Sequence, residues 1–153
     1  MINKSKLLNW CTFVVCTIGI FVGRDSAAQT ISNENPISFG VIVVGGAGDV
    51  TIPSNADTRS ATGAVALAGS GLVARGYADI TFTPGAQIQI NDPGPIVMTG
   101  PNAPTIDLTV QGGNIQTMPL SGVLRVYFGG TITFTTFGAT GALTVLVPVD
   151  VQP

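Results

Sequence analysis

The stretch that decides the fold is Ile37 to Ile52, which reads ISFGVIVVGGAGDVTI. An apolar run from Phe39 to Val44 precedes a glycine cluster at Gly45–Gly48, and Val50 and Ile52 form a short second apolar pair. A strand, a tight turn that glycine permits and a second strand account for this pattern. The cluster is not a phosphate-binding loop, because neither the lysine nor the helical pattern of such a loop follows it.

The first 28 residues have the layout of a cleavable export signal. Lys4 and Lys6 supply positive charge, an apolar segment runs from Leu7 to Val22, and Ser26-Ala27-Ala28 places small residues before Gln29. The apolar segment is shorter than the ~20 residues that a spanning helix needs. We therefore predict a signal helix that is removed before Gln29. The mature protein is then secreted, in the periplasm or on the outer cell surface, without a membrane span.

Cleavage would leave residues 29–153, which we expect to form one domain. Cys11 and Cys16 would leave with the signal, so this mature chain has no disulfide and no thiol chemistry. Three arginines against seven acids give it a net charge of −4, and it has no lysine. We expect no nucleic-acid partner, since such a partner needs clustered Lys and Arg. The charged residues are Arg59, Arg75, Arg125, Glu34, Asp49, Asp57, Asp79, Asp92, Asp107 and Asp150.

Strand signals recur at short intervals along the rest of the chain, separated by glycine or proline turns. Apolar and polar residues alternate within them, which indicates sheets with one buried and one wetted face. The pattern predicts an all-β, antiparallel sandwich or barrel of about eight to ten short strands. The first strand signal after the opening stretch is the small-residue run Thr62–Gly69, which contains Val65 and Leu67. The further candidate strands are Gly76–Pro84, Gln87–Asn91, Ile96–Met98, Thr105–Gln111, Val123–Phe128, Thr131–Thr136 and Leu143–Gln152.

Pro148 interrupts the last of these candidate strands. Proline cannot donate a hydrogen bond to a β-ladder, so we expect this strand to lie at a sheet edge or to carry a bulge. The sequence leaves open whether the edge formed by Leu143–Val151 is closed by the chain's own Ile37–Val44 or by a neighbouring molecule.

The side chains that most enzymes use are nearly absent. The chain has no histidine, and the mature chain has neither cysteine nor lysine, which excludes Ser/His/Asp and Cys/His mechanisms and a histidine-ligated metal. The seven acids are scattered singly, whereas glycoside hydrolysis needs a facing pair. We predict that the protein is not an enzyme and has no catalytic, cofactor-binding or metal-binding residues.

Two weaker candidates for ligand binding remain. Asn91-Asp92 and Asn55/Asp57 are loose candidates for a calcium site, but turn residues have the same composition. Tyr77 and Tyr127 lie on predicted outward faces, where they would either contribute to a carbohydrate platform or pack against a cross-strand neighbour. The second explanation is the simpler one for both tyrosines.

Several segments together resemble a known family. These segments are ISFGVIVVGGAGDVTI, RSATGAVAL, YADITFTPGAQIQI and GALTVLVPVDVQ. In their order and spacing they resemble a bacterial family of exported, glycine-rich β-proteins known as domain of unknown function four-four-zero-two. Phe39-Gly40 through Val50 and Thr58–Gly63 match its motifs, whereas Val151–Pro153 replaces its usual terminal aromatic residue. The resemblance covers essentially the whole mature chain.

This resemblance implies a secreted, immunoglobulin-like β-sandwich of a Gram-negative bacterium, distantly similar to chaperone–usher fimbrial subunits. It implies no catalytic residues. A fold shared with fimbrial subunits does not by itself establish their function.

Two functions are compatible with the sequence. The first is an exported, non-catalytic structural protein, a cell-surface or fimbria-like subunit that associates with itself or other surface subunits through β-sheet edges. The export signal, the low charge and the apolar last strand motivate it, although Gln29–Ser38 is barely long enough to donate a strand. The alternative is a secreted monomeric binding module that recognises carbohydrate or a surface protein.

Overall fold

The structure, a computed structural model, describes residues 29–69, 71–97, 104–136 and 141–153. Within these ranges it contains fourteen strands and no helix, so the predicted all-β fold is confirmed. The predicted signal segment, residues 1–28, lies outside the described ranges. The strands are β1 (Thr30–Asn35), β2 (Ile37–Val44), β3 (Gly48–Ile52), β4 (Ser60–Ala61), β5 (Val65–Leu67), β6 (Val73–Ala74), β7 (Gly76–Thr81), β8 (Gln87–Asn91), β9 (Ile96–Val97), β10 (Thr105–Val110), β11 (Ile115–Thr117), β12 (Val123–Phe134), β13 (Gly141–Val145) and β14 (Asp150–Gln152).

The strands form three sheets in which every pairing is antiparallel. The large sheet has the order β1-β7-β12-β10-β9, with β3 paired to β12 and β4 to β3. The four-stranded sheet has the order β13-β2-β5, with β6 also paired to β2, and the three-stranded sheet has the order β11-β8-β14. Inward side chains of all three sheets form one buried cluster, as a sandwich requires. The described residues contain no helix that could cross a membrane.

The opening stretch forms two strands that lie in different sheets. β2 belongs to the four-stranded sheet and β3 to the large sheet, so the glycine cluster between them is a corner rather than a tight turn. The chain from β4 to β5 follows this corner, pairing first with β3 and then with β2. A Cβ atom on Gly48 would lie 2.2 Å from the carbonyl oxygen of Thr62, and one on Gly63 would lie 2.4 Å from that of Ala47. The glycines are therefore required by the close approach of two chain segments.

β12 is the central strand of the large sheet. It runs straight through Gly129-Gly130, so the turn that was predicted at these two glycines is wrong. Val123–Phe128 and Thr131–Thr136 were predicted as two strands, but one strand runs through both glycines to Phe134. A Cβ atom on Gly129 would lie 2.4 Å from the carbonyl oxygen of Ile52. Gly129 thus makes room for a crossing segment, and neither glycine has a positive φ that a turn would use.

The last predicted strand lies at sheet edges, as its proline indicated, but it is not one continuous strand. The predicted strand Leu143–Gln152 is divided at Pro148 into β13 and β14, which belong to different sheets. β13 is the end strand of the four-stranded sheet and β14 is the end strand of the three-stranded sheet. β13 pairs with β2, Ala142 lying opposite Val41, so the chain's own opening stretch closes one side of this strand.

The structure contains more strands than the eight to ten that were predicted. Six of the fourteen are only two or three residues long, which is too short to show an alternating pattern. β1 was also missed as an element of the fold, because TISNEN is polar and has no apolar alternation. The predicted strand Ile96–Met98 corresponds to β9, and Met98 lies outside the described residues.

Candidate functional site

β1 is an end strand of the large sheet, and it pairs with β7 alone among the described strands. Thr30 lies opposite Thr81 and Ile31 opposite Ile80, before the register shifts between Ser32 and Asn35. Asn33 adopts the left-handed conformation in this interruption, with a φ of +51°. Interruptions of this kind are common in natural edge strands, where they hinder unwanted pairing.

The two strands of this pair differ greatly in burial. Four of the six residues of β1 are exposed, and Ile31 is the residue that packs partly against the core. In β7, four of the six residues are buried, including Ala78 and Ile80 with no exposed surface. β1 therefore covers the backbone edge of a core strand while burying very little of its own side-chain surface.

Asp79 of β7 connects β1 to the centre of the large sheet. Its carboxylate accepts hydrogen bonds from Nε and Nη2 of Arg125 at 2.6 and 2.8 Å, and from Nδ2 of Asn33 at 2.9 Å. Asp79 is only 8% exposed, although its side chain is on the outward face as predicted. The hydrogen bonds from Arg125, with that from Asn33, lower the pKa of Asp79 to about 2, against the opposing effect of burial. The same pairing raises the pKa of Arg125.

The two tyrosines form a packed pair on this outward face. Tyr77 and Tyr127 lie opposite each other on β7 and β12, with ring centroids 6.1 Å apart and ring planes at 65°. The guanidinium of Arg75 lies 3.7 Å from the ring centroid of Tyr127, and that of Arg125 lies 4.4 Å from the ring centroid of Tyr77. Cross-strand packing is therefore the correct explanation, and each ring has a face occupied by a cation instead of being free to stack on a sugar.

Arg75 is itself fixed by its neighbours. Its Nε lies 3.6 Å from the carboxylate of Asp57, and its Nη1 donates to the carbonyl oxygen of Ser54 at 3.2 Å. The backbone amide of Arg75 donates to the same Asp57 carboxylate at 3.0 Å. These contacts hold the segment after β3 against the outward face of the large sheet.

Arg59 occupies a gap in the ladder of the four-stranded sheet. One edge of β2 pairs with β6 at Ser38 and Phe39 and with β5 from Ile42 onward. Between these two pairings, Arg59 donates hydrogen bonds to the carbonyl oxygens of Phe39, Val41 and Ala68. The planar guanidinium thus replaces part of a strand. Sequence reasoning missed this role, although the glycine inside a strand at Gly40 was a signal for a bulge or close approach.

The calcium candidates have local structural roles. Asp92 accepts a hydrogen bond from the amide of Gly94 at 2.9 Å, as an ordinary Asx turn does, and Asn91 donates to Asp150 at 2.8 Å. No three acidic side chains come close enough to hold a metal ion in the part of the chain that the structure describes. A shallow cavity of about 170 Å³ lies beside β8 and β11, which is smaller than typical ligand pockets.

A family model described as a domain of unknown function, DUF4402, matches residues 30–152. The chain belongs to this family. No curated protein and no solved structure matches the chain. The match begins with the first residue of β1 and ends with the last residue of β14, so the DUF4402 domain includes both of these end strands.

Two of the family-like segments of this DUF4402 domain contact each other in the fold. Gly40 contacts Arg59, and Gly48 contacts the chain just before Gly63, so the opening stretch and the TRSATG segment support each other. These motif residues are explained by backbone geometry rather than by ligand binding.

Proposed function

We propose that the protein is an exported, non-catalytic structural subunit at the cell surface, whose copies associate through β-sheet edges. The observation that carries this proposal is the relation between β1 and β7. β1 is a mostly exposed strand, yet it covers the edge of a strand that belongs to the core. The signal-like layout of residues 1–28 supports the export part of the proposal.

A strand of this kind is suited to exchange between copies. Moving β1 out of its own domain would expose little apolar surface, because Ile31 is its one partly buried apolar side chain. The uncovered edge of β7 would then present unpaired N–H and C=O groups beside buried residues, which is costly. β1 of another copy restores the same hydrogen bonds, since the two strands are identical.

The connection between β1 and β2 also favours exchange. Pro36 is the single residue between these strands, and they lie in different sheets. Short hinge segments favour exchange of an element between molecules, because the chain has little freedom to fold back on itself. Proline also restricts the residue before it, Asn35, to extended conformations. In a head-to-tail arrangement each copy would supply β1 to the next, which produces a linear assembly.

The test is the molar mass of the chain 29–153, measured by light scattering over a range of concentrations. We expect multimers that grow with concentration. Deleting residues 29–36 removes the exchanged strand and is expected to abolish them. Inserting Gly-Ser-Gly after Pro36 keeps every contact of β1 but lengthens the hinge, so it should shift the population towards monomer. Multimers that are unchanged by both variants would contradict the proposal.

A concentration-independent monomer would instead favour the alternative, a secreted binding module. No specific contact in the described residues favours that alternative, since the tyrosine faces are occupied by Arg75 and Arg125. A glycan array with the monomeric protein would then be the next measurement.

A further inference from the structure

Asn33 lies where β1 departs from regular pairing with β7. The pairing stops after Ser32, opposite Asp79, and resumes at Asn35, so Asn33 and Glu34 together oppose a single residue of β7. Among the described residues, Asn33 is the one non-glycine residue with a positive φ, +51°. Asparagine tolerates this left-handed conformation better than most residues that have a side chain. The bulge therefore restricts which residue can occupy position 33.

Asp79 adds the requirement for a hydrogen-bond donor at this bulge. Its Oδ2 atom accepts from Nδ2 of Asn33 at 2.9 Å and from Nη2 of Arg125 at 2.8 Å, and its Oδ1 atom accepts from Nε of Arg125 at 2.6 Å. Asp79 is only 8% exposed, so water has little access to it. An ionised carboxylate accepts hydrogen bonds and cannot donate them. An acid at position 33 would therefore face an oxygen of like charge, whereas the amide of Asn33 supplies a donor.

Ile31 sets a second requirement, because its inward side chain packs partly against the core. A slip of β1 by one residue would place Ser32 at this inward position. It would also place Glu34 at the bulge, where its carboxylate would face that of Asp79. The opposite slip would place Thr30 inward and Ser32 in the left-handed conformation. The observed register is thus the one in which the apolar position and the donor position are both filled.

We propose that Asp79 determines which strand the edge of β7 accepts, and that the strand it selects is β1 of a second copy, with its apolar residue at position 31 and its amide at position 33. A strand with an acid at the bulge is rejected, which makes Asn33 and Asp79 a specificity-determining pair. Where the strand comes from another copy, this selection rests on the proposed function. The same contacts select β1 within one molecule, so they can also be tested without exchange.

The test uses two versions of the chain 29–153, a donor with Thr30→Cys and an acceptor with Thr81→Cys. These positions lie opposite each other on β1 and β7, so a disulfide between the two chains reports a donor strand on an acceptor edge. Two donors, one with Asn33 and one with Asn33→Asp, compete for one acceptor under reducing conditions. The mixture is then oxidised, and mass spectrometry gives the ratio of the two cross-linked products.

The donor with Asn33 should be favoured at least about threefold on the acceptor that has Asp79. On an acceptor with Asp79→Asn this preference should be lost or reversed, because an amide at position 79 can donate to the new carboxylate. Glu34→Gln is the matched control donor. It changes the charge of the same strand by one unit at the neighbouring exposed position, and it should compete equally with the native donor on both acceptors.

The absence of any preference, or the same preference on both acceptors, would overturn the inference. If the native donor and acceptor give no cross-linked product, the proposed function fails, and the inference is decided within one molecule. The chain that carries both Thr30→Cys and Thr81→Cys is then equilibrated in a glutathione redox buffer. Asn33→Asp should lower the equilibrium constant for closing this disulfide at least about threefold, and the effect should disappear with Asp79→Asn. An unchanged constant would overturn the inference.

Discussion

Arg59 and Gly40 fit each other at a gap in the four-stranded sheet: a Cβ atom on Gly40 would lie 2.8 Å from Nη1 of Arg59. Gly40 also has a φ of +65°, which L side chains adopt at a cost. Through this contact the guanidinium reaches the carbonyl oxygens of Phe39 and Val41 on either side of Gly40. The guanidinium of Arg59 thus joins the TRSATG segment to the opening stretch, and it fits there because Gly40 has no side chain.

Gly40→Ala is expected to lower the free energy of unfolding by about 2 kcal/mol. The new methyl group would both strain the backbone and displace Arg59. Urea denaturation followed by circular dichroism measures the change. Gly141→Ala is the matched control, because a Cβ atom on Gly141 would meet nothing within 4 Å and its φ is not positive. Equal effects of the two substitutions would show that the Gly40–Arg59 contact is unimportant.

Arg59→Lys should lose most of the stability that Arg59→Ala loses, about 2 kcal/mol. A lysine keeps the positive charge, but its single ammonium group cannot reach the carbonyl oxygens of Phe39, Val41 and Ala68 in the same fork geometry. The comparison uses urea denaturation of both variants and the native chain. A lysine variant as stable as the native chain would mean that charge, not the planar fork, is what the site needs.

Asp79 should make stability depend on acid pH. Its pKa is lowered from 3.8 to about 2, so the charged form is favoured in the folded state. Its stabilising contribution is fully present above the unfolded-state pKa and is lost as the pH falls from about 4 through 2. In urea denaturation at a series of pH values, Asp79→Asn should remove this part of the pH dependence. Asp107→Asn, at an exposed position of β10, is the control and should retain it.

The alternating segments were predictable from sequence, because the alternation of buried and exposed side chains along a strand is visible in the sequence itself. β8 and β10 occur where alternation placed them, with Ile88, Ile90, Ile106 and Leu108 buried. The edge position of the last segment was also predictable, because Pro148 lacks the N–H that an interior strand needs. These features depend on residues that are close together in sequence.

The features that were not predictable depend on distant segments. Gly129 lies within a strand because the chain near Ile52 crosses over it, and a glycine pair alone cannot reveal such a crossing. β1 is a strand because β7 offers it an edge, not because its own residues alternate. Arg59 finds its acceptors up to 20 positions away in sequence. The outward position of Tyr77 and Tyr127 was predictable from the alternation. The stacking of Arg75 and Arg125 on their rings was not, because it depends on the register between β7 and β12.

The central claim, that β1 is exchanged between copies, is tested most directly by a disulfide between β1 and β7. Thr30 and Thr81 lie opposite each other, and opposed strand residues are within the range that a disulfide spans. The chain 29–153 has no cysteine of its own. Thr51→Cys with Thr131→Cys, on β3 and β12, is the matched control, because those hydroxyls are 2.9 Å apart and neither strand is proposed to exchange.

The variant Thr30→Cys with Thr81→Cys is assembled under reducing conditions, oxidised and separated on a denaturing gel without reductant. Exchange predicts a ladder of covalent multimers for this variant and a single monomer band for the control pair. A monomer band in both variants would contradict the account, since it would show that β1 pairs with β7 of its own molecule.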